Sequence, residues 1–168
     1  MSRTTRVAAV ALAMLTAIGT AGAQTSFSVA AGASVPTGNW GDFHDVGYHV
    51  LGGIGFTPPL SPIGFRFEGA FNEFNRTNLG SDAKDRILSL AANALIGFGT
   101  FLGPYAIGGV GVYNIRQPNG LNDQTEFGFN IGAGYRFGLT GFSAFAEARY
   151  TRAADGVSYV PITFGVTF

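Results

Sequence analysis

The 168 residues contain no cysteine, so neither a disulfide framework nor a thiolate metal site can hold the fold together. Charge is scarce: only 12% of residues are charged, ten basic and ten acidic. That balance leaves no basic footprint for nucleic acid, and no nucleic-acid partner is expected. Nor is any stretch apolar over the ~20 residues that a spanning helix needs. Insertion into a membrane would have to use strands. Histidine, the usual general base, occurs only at His44 and His49.

Glycine and phenylalanine are abundant, with 26 and 16 copies. So much glycine would suggest disorder if aromatic residues were few. Here they are plentiful and regularly placed. Small residues inside a narrow barrel and aromatic residues outside it would account for both excesses. The N-terminus has a separate role. Arg3 and Arg6 precede an apolar run over residues 7–19, and Ala21-Gly22-Ala23 supplies small residues before Gln24. This is the pattern of a cleaved secretory signal over residues 1–23, leaving one domain over residues 24–168.

Apolar and small or polar residues alternate along most of that domain, as they do on the two faces of a strand. In residues 126–137, Phe127, Phe129, Ile131, Ala133, Tyr135 and Phe137 share one parity, and Glu126, Asn130, Arg136 and three glycines share the other. Residues 63–72, 86–98 and 142–151 repeat the pattern, and 26–35 supplies a first strand. Residues 46–57 and 105–114 are glycine-rich, with ambiguous facing. The final strand sets Val160, Ile162, Phe164, Val166 and Phe168 against Tyr159, Pro161, Thr163, Gly165 and Thr167. These make eight strands. Connectors 58–62, around 99, and 138–141 are tight; 36–45, 75–85, 114–124 and 152–156 are mostly longer and more polar. An all-β, eight-stranded antiparallel up-and-down transmembrane barrel follows, with short turns on the periplasmic side and longer loops outside. A soluble lipocalin-like barrel would reverse the facing, with aromatics inside and charges outside. Here Arg66, Glu68, Glu147 and Arg149 lie opposite the phenylalanine rows.

Four segments carry a family likeness: Gly32-Ala-Ser-Val-Pro-Thr-Gly38, Pro104-Tyr-Ala-Ile-Gly-Gly-Val-Gly-Val-Tyr113, Phe145-Ala-Glu-Ala-Arg-Tyr150 and Pro161-Ile-Thr-Phe-Gly-Val-Thr-Phe168. Their order resembles that of the small bacterial outer-membrane β-barrel domains of the OmpA-barrel, OmpX and opacity-protein type. The resemblance implies residence in the bacterial outer membrane, with outer-membrane lipid as a partner. It also implies reading of the last strand, Val160 to Phe168 on its outward face, by the barrel-assembly machinery. A periplasmic cell-wall tether, present in larger relatives of that type, is not expected here.

The inward parity collects a luminal charge network of Arg66, Glu68, Arg136, Glu147 and Arg149, with Glu126 nearer the outer rim. Strands three and seven stand on opposite sides of an eight-stranded ring, so Arg66 and Glu68 face Glu147 and Arg149. Opposite charges satisfying one another would form a polar plug, since the interior of so small a barrel is only wide enough for side chains to fill. A narrow solute channel gated by these pairs is the alternative. Arginines two residues from each glutamate suit ion pairing better than glycosidase chemistry. A lipid-modifying enzyme is the third reading, with His44 or His49 as base and Ser34 the nearest serine. A solvated loop histidine explains His44 more simply. Asp42, His44 and Asp45 lack a rigid metal frame. The Gly132-x-Gly134 spacing lies within a strand, where a phosphate loop has no helix N-terminus to use. No catalytic, cofactor or metal residue is assigned. Trp40, Tyr48, Phe74, Tyr113, Tyr150 and Tyr159 near one end, and Phe98, Phe101, Tyr105, Phe137, Phe142 and Phe168 near the other, are expected to form two interfacial girdles. The role expected is non-enzymatic, structural or surface-interacting, with the outer loops as contact points for an extracellular ligand.

Overall fold

The computed structural model describes residues 24–59, 61–77, 84–97, 102–116 and 123–168. The secretory signal expected over 1–23 lies outside them, as do Phe98 and Phe101 of the expected girdle. Eight strands follow one another: β1 (Gln24–Thr37), β2 (Gly47–Thr57), β3 (Ile63–Asn75), β4 (Lys84–Gly97), β5 (Gly103–Arg116), β6 (Gln124–Leu139), β7 (Phe142–Ala154) and β8 (Val157–Thr167). Each pairs antiparallel with its neighbours in chain order, and β8 returns to β1 to close a barrel. Phe27 and Phe168 complete the seam with reciprocal backbone bonds of 3.0 and 2.8 Å. Closure leaves no strand edge to be covered. Both β1 and β8 have their free ends beside the short turns, which is the periplasmic end in barrels of this kind. Among the described residues no helix is long and apolar enough to cross a membrane, which says nothing about crossing by strands.

The period of two decides what each strand shows to the outside. Phe65 and Phe67 of β3, Leu88 and Leu90 of β4, Phe127 and Ile131 of β6, and Ile162 and Phe164 of β8 all point outward. Neighbouring strands repeat the pattern in register, so these side chains merge into one belt around the barrel. A belt of this extent exceeds any patch a soluble monomer tolerates, and suits hydrocarbon as its solvent. With 11 to 16 residues per strand at ~3.4 Å each, tilted strands span the ~25 Å apolar height of such barrels and project beyond it.

Inside, the lumen holds large apolar side chains besides the small and charged residues expected there. Tyr105, Ile107, Tyr113 and Ile115 show that β5 turns its large side chains into the lumen, and β2 does the same with His49 and Leu51. Inward glycines on the neighbouring strand make this fit. Tyr105 lies opposite Gly134 in the ladder, and a Cβ added at Gly134 would stand 2.5 Å from its ring. Gly128 similarly clears Tyr113, whose ring lies 2.8 Å from where that Cβ would be.

Three expectations are corrected. The β7–β8 connector is the two-residue turn Asp155-Gly156, with Gly156 at φ 80, because the strands extend over most of 152–156. Phe74, Tyr113, Tyr159 and Tyr105 are buried inside the barrel and belong to no girdle; Tyr48, Tyr150, Phe137, Phe142 and Phe168 remain exposed. Their strand ends are where an interfacial aromatic sits, but parity directs the buried four inward. His44, expected in solvent, is also buried.

Gly134→Val should place a branched side chain against Tyr105 and cost about 1–3 kcal/mol through overpacking. Gly108→Ala, whose Cβ would meet nothing closer than 3.6 Å, should leave stability unchanged. Urea unfolding followed by the heat-dependent shift in electrophoretic mobility measures both.

Candidate functional site in the lumen

The lumen is filled in layers. Above the middle of the barrel, at the end bearing the long loops, lies an apolar cluster. Phe74, Ile87, Tyr113, Ile115, Ala153, Val157 and Tyr159 come together from β3, β4, β5, β7 and β8, with Trp40 packed on them from the first loop. The rings of Phe74 and Tyr159 meet edge-on within this cluster, with centroids 5.4 Å apart. Each residue is there because it occupies the inward parity near the outer end of its strand.

The first loop is fastened over this cluster. A 3₁₀ turn, Gly38–Trp40, carries Trp40 onto the His44 ring, with centroids 3.7 Å apart. His44 Nδ1 faces the Trp40 carbonyl at 2.9 Å and Nε2 faces Asp85 Oδ2 at 2.6 Å. Arg76 donates to both oxygens of the same carboxylate at 3.0 and 3.1 Å. Both histidine nitrogens are therefore engaged in holding the loop. Asp45 accepts from Thr77, and Asp42 is exposed, so the triad Asp42, His44 and Asp45 does not converge. Among the described residues no three potential ligands are grouped to hold a metal.

Below the apolar cluster, Ser34, His49, Asn72 and Thr163 form a buried polar layer. Ser34 Oγ donates to Asn72 Oδ1 at 2.9 Å and lies 3.0 Å from His49 Nδ1; Thr163 Oγ1 is 2.9 Å from Nε2. With its proton donated to Asn72, Ser34 is left to accept at His49 Nδ1. A serine nucleophile needs the opposite direction, with its proton passing to histidine. Ser34 and Thr163 are also fully buried. The sequence offered Ser34 beside His44 or His49 only as the nearest serine and gave no contact: Ser34 and His49 meet because both are inward residues of two paired strands.

The next layer holds four charges. Arg66 Nη2 donates to both Glu147 oxygens at 2.9 Å, and its Nε donates to Glu68 Oε2 at 2.9 Å. Arg149 completes the ring, with Nε 2.9 Å from Glu147 Oε1 and Nη1 bonded to Glu68 Oε1. The Tyr105 hydroxyl donates to Glu147 Oε2 at 2.7 Å, a partner the sequence did not signal. Strands β3 and β7 thus meet across the barrel through side chains alone. All four charged groups are buried, and the quartet is formally neutral. Arg136, taken with them in sequence, lies one step nearer the periplasm, its guanidinium carbon 5.4 Å over the Tyr105 ring. Glu126 is exposed at the other end. Val160, Ile162, Phe164, Val166 and Phe168 all lie on the outward parity of β8, away from these layers.

A closed antiparallel barrel with an apolar belt outside and paired charges inside defines the class: an outer-membrane barrel of the smallest common size. The sequence profile of the outer membrane protein beta-barrel domain matches residues 7–168, and the chain belongs to that family of bacterial outer-membrane proteins. No curated protein sequence matches it. Among solved structures, Neisserial surface protein A superposes with a TM-score of 0.70 at 18% identity, covering 87% of this chain and 97% of its own. The attachment invasion locus protein Ail of Yersinia pestis gives 0.53 at 18% identity, covering 88% and 99%. The N-terminal β-barrel domain of Pseudomonas aeruginosa OprF gives 0.51 at 20% identity, covering 87% and 99%. At these identities the likeness is one of fold.

Removing one member of the quartet leaves a buried charge without its counter-ion, which typically costs about 3–5 kcal/mol. Glu147→Gln should lower stability by that order. Adding Arg66→Met should recover part of the loss, because the stranded guanidinium is then gone. Unfolding of the two variants in phospholipid vesicles, compared with Arg66→Met alone, separates the pair's coupling from the separate costs.

Proposed function

We propose that this chain is a non-enzymatic outer-membrane barrel with a closed lumen, exported through a cleaved signal over 1–23. Its role is structural or surface-interacting, exerted through the loops at the outer end. One observation carries the reading: the apolar cluster around Phe74 and Tyr159 stands in series with the ion-paired quartet. Rearranging Arg66 and Glu147 alone would still leave the aromatic layer across the axis. A solute path needs both layers to yield together, which argues against the gated channel. The enzymatic reading has no support in the Ser34–His49 contact, whose proton direction and burial are those of a structural bond. What remains accessible is the outer surface. There Phe43 and Val46 of the first loop are exposed at 65% and 58%, a contact surface that the closed lumen does not provide.

In this reading the outward face of β8, Val160 to Phe168, is both lipid contact and the segment read during insertion. Outer-membrane lipid and the assembly machinery are its partners, and an extracellular ligand would meet the loops.

Planar-bilayer recording tests the closed lumen. The native barrel and Glu147→Gln should both show no steady unitary conductance, whereas Phe74→Ala/Tyr159→Ala/Glu147→Gln should leak. Steady conductance from the native protein, altered by Glu147→Gln alone, would overturn the closed-lumen reading in favour of the channel.

A further inference from the structure

The outward rows of β4 and β5 change character together toward the long-loop end. Leu90 lies opposite Val112 in the ladder, Leu88 opposite Asn114, and Arg86 opposite Arg116. Leu88 and Leu90 belong to the apolar belt. Arg86 stands two residues beyond Leu88, about 7 Å along a tilted strand, which places it in the polar headgroup layer. Like charges directly opposite on paired strands repel one another. Each arginine has a partner, and in both cases the bond uses Nε: Arg86 donates to Glu73 and Arg116 to Asn114, both at 2.9 Å. Their Nη groups are left for another acceptor, and the side chains are 58% and 61% exposed. Glu73 is also held by Lys84 at 2.7 Å, so it keeps a counter-ion when Arg86 turns elsewhere.

A second feature lies directly beneath the pair. The outer wall carries a groove lined by Ile54, Phe67, Leu90, Val110 and Phe127, with Gly69 and Ala92 adding little bulk between them. Leu90 and Val112 are its lining residues nearest the arginines on their two strands. Between groove and arginines stand Asn114 and Thr125, exposed and bonded to each other at 2.9 Å. Along these strands the wall therefore offers an apolar slot, then amide and hydroxyl groups, then two guanidiniums. Such a series fits one amphiphile: acyl chain, hydroxylated body and phosphate.

We infer that β4 and β5 form a binding site for a phosphorylated glycolipid of the outer leaflet. Arg86 and Arg116 take the phosphate between them, since guanidinium forks match phosphate oxygens through parallel bonds. Asn114 and Thr125 meet the sugar hydroxyls, and the groove takes an acyl chain. The phosphate relieves the repulsion between the two arginines. This inference rests on the reading that the long-loop end faces outward.

The test places isotope-labelled barrel in phosphatidylcholine nanodiscs holding increasing fractions of lipid A. The side-chain Nε–H groups of Arg86 and Arg116 and the methyl groups of Leu90 and Val112 are the reporters. Both sets should shift together and saturate. Dephosphorylated lipid A should leave the arginines unshifted, and phosphatidylglycerol should give only weak, non-saturating shifts. Arg86→Gln/Arg116→Gln should weaken binding at least tenfold, and Arg116→Lys should retain it within a few-fold. Gly69→Leu should weaken binding with both arginines intact, because a Cβ at Gly69 already meets Leu90 at 3.4 Å and the longer side chain fills the groove. Arg152→Gln, on β7, should leave binding unchanged. Binding that survives the double arginine substitution undiminished, or arginine shifts that phosphatidylglycerol matches, would overturn the site. Shifts caused by soluble heparin and absent with lipid A would also overturn it, in favour of a polyanion from solution. Nanodiscs present lipid A at both rims, so binding there does not depend on which end faces outward. Orientation is read separately. The chain has no cysteine, so Asp42→Cys should react on intact cells with a membrane-impermeant maleimide. Binding without that labelling would overturn the outer leaflet as the source; labelling without binding would overturn the site itself.

Discussion

Every backbone N–H and C=O that crosses hydrocarbon must find its partner within the chain, and a sheet can meet that demand only by closing. The β1–β8 ladder is the pairing on which the rest depends. It runs from Ser28 opposite Thr167 to Thr37 opposite Ser158 and leaves neither strand with an open edge. Closure at eight strands then fixes an interior so narrow that side chains must fill it. The lumen's chemistry is in that sense a consequence of the seam. Even Pro161, which has no N–H to give, is accommodated: the β7–β8 register passes from Ala148 opposite Ile162 to Thr151 opposite Tyr159, leaving the proline outside the pairing on that side.

A filled interior can be apolar or polar, and this one changes along its axis. Toward the outside it is aromatic and aliphatic; at mid-height it holds neutral hydrogen-bonding groups; below these it holds two arginines and two glutamates. Burial of charge is costly unless every member is paired, and the quartet meets that condition with Tyr105 as an added donor. The ion pairs tie β3 to β7 across the ring, a connection no backbone ladder can make. They therefore act on the cross-section of the barrel, while the ladders act around its circumference.

Much of this was legible in the sequence because a strand has only two faces. The alternation in 63–72, 86–98, 126–137, 142–151 and 158–168 placed those strands and their outward rows close to where they lie, whereas 46–57 and 105–114 were legible as strands but not in their facing. Spacing also brought Arg66 and Glu68 opposite Glu147 and Arg149. What stayed hidden depends on pairs of strands. Whether a glycine-rich strand such as β5 faces Tyr105 and Tyr113 inward depends on Gly134 and Gly128 of β6 leaving room, which requires the register between them. His44 looked like a solvent-exposed loop residue because its partner Asp85 is 41 positions away and Trp40 covers it only after the loop folds back. Parity says inside or outside; it does not say what the inside residue will touch.

The axial change in chemistry also gives the molecule two unlike ends. An outer end packed with rings beneath a fastened first loop is what supports the proposed closed lumen, in which contact is made through the loop surface. The inner end has the opposite character, an open cavity with hydroxyl residues in its walls. Between them the quartet is buried, and low-dielectric surroundings strengthen its attractions. Each end presents its own surface, and the ion-paired layer lies between them.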